Sequence, residues 1–304
     1  MILGNYRIGL IGAGAVGLYY ASFFCESECS LTLITRDKSN YTDEPFYINS
    51  YLGDRSFCAD KIIDYSDECE PFDLIIVATK VLPNIDFSKL ISRFVNSKTV
   101  IFLIQNGIGI ESVFNTFNQP IIRGLAFICA ERVSYNLVQH FDFGQLSWGI
   151  TNGDINQSNT KQFKRKIDAT LMDQSLDTDI SFSIWKKLLW NIPFNCLSIY
   201  YGGVDTSFLL KDTNALHYIN NLMDEVITVA QSCGINLTNL IKSNHLKSTK
   251  RMKPYFTSMC LDFKAGRPIE LDAILGNFIK IADKCNLDIP YSHNLYKNLL
   301  KMIS

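Results

Sequence analysis

The sequence has no surplus of charge of either sign. Its 29 Lys and Arg stand against 30 Asp and Glu, a formal charge of −1. That balance gives no electrostatic reason to expect nucleic acid or a membrane surface as partner. No apolar run approaches the length of a membrane-spanning helix. So few residues precede the first apolar strand that no signal peptide is expected. Cysteine is present but unpatterned: there are nine, an odd number, with no C-x-x-C pair, and Cys25, Cys129 and Cys196 lie in apolar runs. Buried, reduced thiols in a cytoplasmic protein are the expectation. Zinc-ligand spacing, G-x-S-x-G and a Cys/His pair with an orienting acid are all missing, so neither a metal site nor a covalent mechanism is expected.

What is there is an ordinary globular composition, 47% hydrophobic and 19% charged, over 304 residues. That length exceeds the usual single domain, so two are expected. The organising stretch is residues 8–17, IGLIGAGAVG. Apolar residues suited to a buried parallel strand run into Gly12-x-Gly14-x-x-Gly17, and LYYASFFC then continues as a helix. In this pattern Gly12 makes the tight turn, Gly14 lets a pyrophosphate approach the backbone, and Gly17 lets the helix pack on the strand. Ala13, Ala15 and Val16 complete the loop, whose helix N-terminus offers free N–H groups to phosphates. Strand, turn and helix in that order, with a second strand at residues 30–35, make a dinucleotide-binding reading much stronger than the glycines alone.

The second strand ends at Thr35 and is followed by Arg36, with Lys38 nearby. An acid here would bind the ribose hydroxyls of NAD, whereas arginine pairs with the 2′-phosphate of NADP. Asp37, one residue on, leaves the NAD reading open. Residues 43–69 are turn-rich, with short strand candidates at 46–48 and 56–58. FDLIIVAT (72–79) and TVIFLI (99–104) are continuous apolar runs, as strands buried on both faces read. They end at Lys80 and at Gln105-Asn106-Gly107, and a helix is expected between them at 85–95. Lys80 by itself could be a solvated strand-end lysine. In an open parallel sheet, however, ligands sit outside the carboxyl ends of the strands, and the glycine turn, Arg36, Lys80 and Asn106 all fall at such ends. Residues 124–150 alternate in the manner of antiparallel strands. His140 within them reads as a sheet-surface histidine. Residues 156–172 read as a helix whose run Lys161, Lys164, Arg165 and Lys166 faces solvent.

After Ser181 helical spacing dominates. A Rossmann-type α/β domain over residues 1–175 is expected to precede a mainly α-helical one over 176–304. In WKKLLWNIPFNCLS (185–198), Lys187, Asn191 and Asn195 fall at i, i+4 and i+8 on one helix face. A polar stripe between apolar flanks needs partners, which a bound polar ligand or solvent could supply. Pro193 predicts a kink. Helices are expected over 216–232 and 259–264, and a last one from Glu270. Ser258 and Glu270 flank a short helix and a tight turn, an arrangement able to bring both to one site. The basic stretch 244–253 could be a solvated face or an anion path.

Together these stretches resemble the ketopantoate reductase family over nearly the whole chain. The resemblance rests on GAGAVG, on ATK ending at Lys80, on QNGIG at Asn106, on W-x-K-L-x-x-N-x-x-x-N, and on S-M-x-x-D followed by E-x-D. It implies a Rossmann-type NADPH domain followed by a helical domain like that of 6-phosphogluconate dehydrogenase. It implies Lys187 as the catalytic lysine with Glu270 as its partner, and substrate positions at Asn106, Asn191, Asn195 and Ser258. The reaction it implies is reduction of 2-dehydropantoate to (R)-pantoate on the route to pantothenate and coenzyme A. The expected partner is a small 2-oxo acid, and the expected state a monomer or homodimer. A reductase of another branched 2-oxo acid, or a non-catalytic NADPH-binding sensor, are the alternatives. In such a reduction a protonated lysine stabilises the developing alkoxide and delivers the proton. Asparagines orient carbonyl and hydroxyl groups, and Ser258 donates to a carboxylate. Glu270, at a helix start where the dipole favours negative charge, would hold Lys187 or bind a substrate hydroxyl.

Overall fold

β1 (Tyr6–Ile11) is an interior strand, third from one edge, of a ten-stranded sheet. The fold is described from a computed structural model, which describes residues 6–26 and 29–303. The chain continues through α1 (Ala15–Phe24), β2 (Cys29–Thr35), β3 (Phe46–Ser50), β4 (Arg55–Phe57), β5 (Lys61–Asp64), β6 (Leu74–Val77), α2 (Phe87–Ile91), β7 (Val100–Leu103), β8 (Ile121–Ser134), β9 (Leu137–Asn152), α3 (Ser158–Asp168) and β10 (Gln174–Leu176). Sheet order is β4-β3-β9-β8-β7-β6-β1-β2-β5, with β10 beside β9. Strands β5, β2, β1, β6, β7 and the start of β8 run parallel, and β9 returns antiparallel to β8. The chain leaves β1 towards β2 and later returns to its other side as β6, so the strand order reverses there. That reversal opens a crevice at the carboxyl ends of β1 and β6.

The strands at the reversal are buried on both faces, which is why they read as unbroken apolar runs. α1 covers one face with Tyr19, Tyr20, Phe23 and Phe24. Tyr20 is fully buried and satisfies its hydroxyl on the carbonyl of Gln145 (3.0 Å). Phe163 of α3 packs edge-on against Phe102 and Trp148. Two strands were not expected, β5 and β10. Both are short and carry no apolar run of their own. His140 is not a surface residue. It is 1% exposed, packs against the rings of Tyr19 and Tyr51, and has Ser50 Oγ 2.8 Å from Nδ1 and the carbonyl of Asp142 3.1 Å from Nε2. It is a satisfied core histidine, its imidazolium disfavoured by burial. The thiols are also less buried than expected: Cys196 and Cys260 are buried, but Cys25 and Cys129 are half-buried and Cys58 and Cys233 exposed.

By its contacts the chain divides between Ile180 and Ser181. The division has one further feature: the loops Val81–Ile85 after β6 and Asn106–Ile110 after β7 group with the second unit. That unit contains α4 (Ile180–Tyr200), α5 (Thr206–Lys211), α6 (Thr213–Ser232), α7 (Asn239–Arg251), α8 (Ser258–Lys264), a π-helical turn (Asp272–Gly276), α9 (Asn277–Lys284) and α10 (Pro290–Ile303). α4 runs through Pro193 without interruption and is buried almost all round from Leu188 onward. Trp190 Nε1 donates to Thr249 Oγ1 of α7 (2.9 Å), and Trp185 meets Phe278 of α9. The last helix, α10, was not expected. Glu225 of α6 caps it, accepting from the N–H groups of Tyr291 (2.8 Å) and Ser292 (2.9 Å) and from Ser292 Oγ (2.6 Å). Among the described residues no helix is long and apolar enough to cross a membrane.

Candidate active site

In the first unit the turn after β1 is a glycine turn that leads directly into α1. Gly12 has φ +109°, and a Cβ there would lie 2.5 Å from the amide nitrogen of Thr79. A Cβ on Gly17 would lie 2.0 Å from the carbonyl oxygen of Gly12. A Cβ on Gly14, by contrast, would meet nothing within 4 Å. The two outer glycines are therefore required by packing, while the middle one leaves open space above the backbone. α1 starts there with no side-chain cap and no acid in its first turn, so its N–H groups remain available to an anion. Ala13, Ala15 and Val16 carry small or apolar side chains that do not compete for it.

At the end of β2, Arg36 is exposed and makes no hydrogen bond or ion pair with the described residues. Its neighbours are committed elsewhere. Asp37 accepts from Ser39 N (2.9 Å) and Ser39 Oγ (2.6 Å), which hold its carboxyl below the usual range. Lys38 pairs with Asp67 at 2.8 Å. The acid that left the cofactor choice open is thus a turn cap, and the guanidinium is the uncommitted group. Lys80, half-buried, follows β6 in this unit.

The second unit carries the other candidates. Lys187, Asn191 and Asn195 share one face of α4, with Lys187 half-buried, Asn191 7% exposed and Asn195 3% exposed. A solvent-facing stripe does not describe them. Neither asparagine amide has a side-chain hydrogen-bond partner among the described residues, and neither is among the fully buried unpartnered groups, so the small exposed part of each residue includes its amide. One turn beyond Asn195, Ser198 Oγ donates to the carbonyl of Asn195 (2.8 Å) and lies 3.2 Å from Thr257 Oγ1. Thr257 caps α8 by accepting from Cys260 N (3.2 Å), so the exposed Ser258 opens α8 beside this end of α4.

Glu270 immediately precedes the helical segment that contains the π turn. It accepts from the backbone N–H of Val81 (3.0 Å), and Asn106 Nδ2 lies 3.5 Å from its other oxygen. The loop around Asn106 is docked on the turn. Ile108 N–H donates to the carbonyl of Ala273 (3.1 Å), and Asn277 Nδ2 donates to the carbonyl of Ile108 (2.9 Å). Gly107, at φ +105°, allows this approach, because a Cβ there would lie 2.5 Å from the oxygen of Ala273. π turns recur at functional sites because they redirect side chains and backbone groups within a helix. Of the expected residues, then, Asn106 and Glu270 meet directly, and Lys187, Asn191 and Asn195 share a helix face. The N–H of Val81 and the amide of Asn277 were not expected. A backbone donor has no sequence signal, and Asn277 sits in an unremarkable helical pattern.

Fold and site together define a Rossmann-type oxidoreductase with a helical second unit. The family model described as "Ketopantoate reductase PanE/ApbA" matches residues 8–153, and "Ketopantoate reductase PanE/ApbA C terminal" matches residues 179–303. A 2-dehydropantoate 2-reductase of Nostoc sp. (strain PCC 7120) is 30% identical over 302 residues, which cover 96% of this chain and 94% of that one. The crystal structure of 2-dehydropantoate 2-reductase from Methylococcus capsulatus matches with a TM-score of 0.87 and 29% identity, covering 98% of this chain and 96% of its own. A D-mandelate dehydrogenase solved with NADH and anilino(oxo)acetate shares the fold at a TM-score of 0.83, with 22% identity over 98% of each chain. The chain belongs to the ketopantoate reductase family.

Proposed function

We propose that this chain reduces 2-dehydropantoate to (R)-pantoate with NADPH. The observation that carries the reading is the pair of asparagines on α4, largely buried yet with amides that have no hydrogen-bond partner among the described residues and still reach solvent, one and two turns from Lys187. Amides that open from a mostly buried helix without a protein partner are free to meet a polar ligand. The open space over Gly14 and the uncapped start of α1 fit the pyrophosphate of a dinucleotide. Arg36, uncommitted and exposed, fits a 2′-phosphate, which its fork can bind with two hydrogen bonds. Lys80 and Asn106, at the neighbouring strand ends, are assigned to the same cofactor.

NADPH, when bound, supplies the hydride that reduces the carbonyl carbon. The Lys187 ammonium stabilises negative charge on the carbonyl oxygen and transfers a proton to it, so the product leaves as the neutral alcohol. Asn191, Asn195 and Asn106 orient the carbonyl and hydroxyl groups of the substrate, and Ser258 donates to its carboxylate. Glu270, already holding the N–H of Val81, keeps Lys187 oriented or receives a substrate hydroxyl. The test is consumption of NADPH by the purified protein with 2-dehydropantoate, set beside a panel of other 2-oxo acids. Turnover confined to 2-dehydropantoate supports the reading. Turnover with another branched or aryl oxo acid would keep the chemistry and change the substrate, a reading favoured by the same fold in a D-mandelate dehydrogenase. Tight NADPH binding without turnover would indicate a sensor.

A further inference from the structure

Arg123 has no part in the chemistry above, yet its side chain is completely buried in the sheet. It sits on β8 beside Leu103, the last residue of β7. Its Nη2 donates to the carbonyl of Gln105 (3.2 Å), and its Nη1 donates to Glu111 Oε2 (2.8 Å). Gln105 and Glu111 are the two residues that bracket the loop Asn106–Ile110. One guanidinium therefore holds both roots of the loop that carries Asn106. The tie extends to the neighbouring strand end, because Gln105 Nε2 donates to the carbonyl of Thr79 (2.7 Å), next to Lys80.

A buried charge at a strand position that an apolar residue could fill is expensive to keep. The geometry accounts for the choice. The two acceptors lie on opposite roots of a five-residue loop, and a planar fork reaches both at once. A lysine carries its three donors on one nitrogen and lacks the planar fork that reaches the two acceptors from two nitrogens. We infer that Arg123 is a positioning residue that sets the loop 106–110 and acts on turnover through Asn106. The inference rests on the reading of Asn106 as a ligand-binding residue.

A double-mutant cycle separates this role from a merely structural one. Arg123→Met and Arg123→Lys are each combined with Asn106→Ala, and kcat/KM for 2-dehydropantoate is measured with saturating NADPH. Each Arg123 substitution should lower kcat/KM about 10–100-fold alone and less than about twofold in the Asn106→Ala background. Equal losses in both backgrounds would make Arg123 a structural residue and overturn the inference. So would wild-type turnover in both Arg123 variants. Normal turnover in Asn106→Ala would instead remove the reading of Asn106, and the inference with it. A second readout does not depend on turnover. Hydrogen exchange of the amides in residues 106–110 should quicken at least about tenfold in Arg123→Lys, with the strands of the sheet core unchanged. Unchanged exchange in that loop overturns the inference even if the protein proves inactive on every oxo acid, and exchange quickened throughout the sheet does so as well.

Discussion

Replacing Asn191 by leucine should make the protein more stable and less active at once. Asn191 is 7% exposed in the middle of an apolar helix, and its amide has no side-chain partner among the described residues. A fully buried amide without a partner costs about 1–3 kcal/mol, but that of Asn191 still reaches solvent, so about 1 kcal/mol or less is at stake. Leucine has the same branched shape and no polar atoms, so Asn191→Leu removes that penalty and adds apolar contact. At roughly 2–4 °C per kcal/mol for a domain of this size, the ligand-free melting temperature should rise by up to about 4 °C. The same change removes the hydrogen bonds proposed between Asn191 and the substrate, and kcat/KM for the oxo acid should fall about 10–100-fold. The assay is thermal unfolding of the ligand-free protein beside steady-state kinetics of the variant. A lower melting temperature with lost activity would mean that the amide has a structural role. A higher melting temperature with unchanged kcat/KM would mean that the polar stripe of α4 does not bind substrate.

Other substitutions probe separate links. Arg36→Glu should raise the KM for NADPH by roughly 10–100-fold and narrow or reverse the preference over NADH, because charge-assisted bonds of about 1.5–3 kcal/mol are lost; an unchanged preference would remove Arg36 from the cofactor site. Gly107→Ala puts a Cβ 2.5 Å from the oxygen of Ala273 at a φ of +105°, so it should cost about 1–3 kcal/mol in thermal unfolding and depress turnover. Gly109→Ala, where a Cβ meets nothing within 4 Å, should cost less, and equal costs would contradict the docked geometry. Burial, reinforced by Lys186, lowers the pKa of His245 from 6.5 to about 4. The unfolded chain therefore takes up a proton at His245 before the folded one does, and stability is lost as pH falls from about 6.5 towards 4. His245→Gln should flatten that part of the melting-temperature profile, and an unchanged profile would assign the acid sensitivity to other groups.

The Rossmann half was legible because its physics is local. Strands buried on both faces read as apolar runs, and a glycine turn before a helix has few other uses. β5 and β10 were not, because three or four residues on a sheet edge carry no period. His140 was misplaced because alternation along β9 does not reveal that Tyr19 and Tyr51 cover its face. In the candidate site, the stripe on α4 was visible because helix periodicity alone aligns Lys187, Asn191 and Asn195. The meeting of Asn106 with Glu270, 164 residues apart, has no local signal, and the family resemblance, which paired Glu270 with Lys187, did not supply it. Arg123 could have been noticed as the lone charge inside PIIRGLAFI, but nothing nearby in sequence indicates that its partners bracket a loop.

The central claim is that the chemistry is done by the face of α4 that begins with Lys187. It is tested most directly by kcat/KM for 2-dehydropantoate in the wild type and in Lys187→Ala, with NADPH affinity measured on both. The account predicts a fall of about 10²–10⁴-fold in kcat/KM with the dissociation constant of NADPH little changed. Wild-type turnover in Lys187→Ala would contradict it.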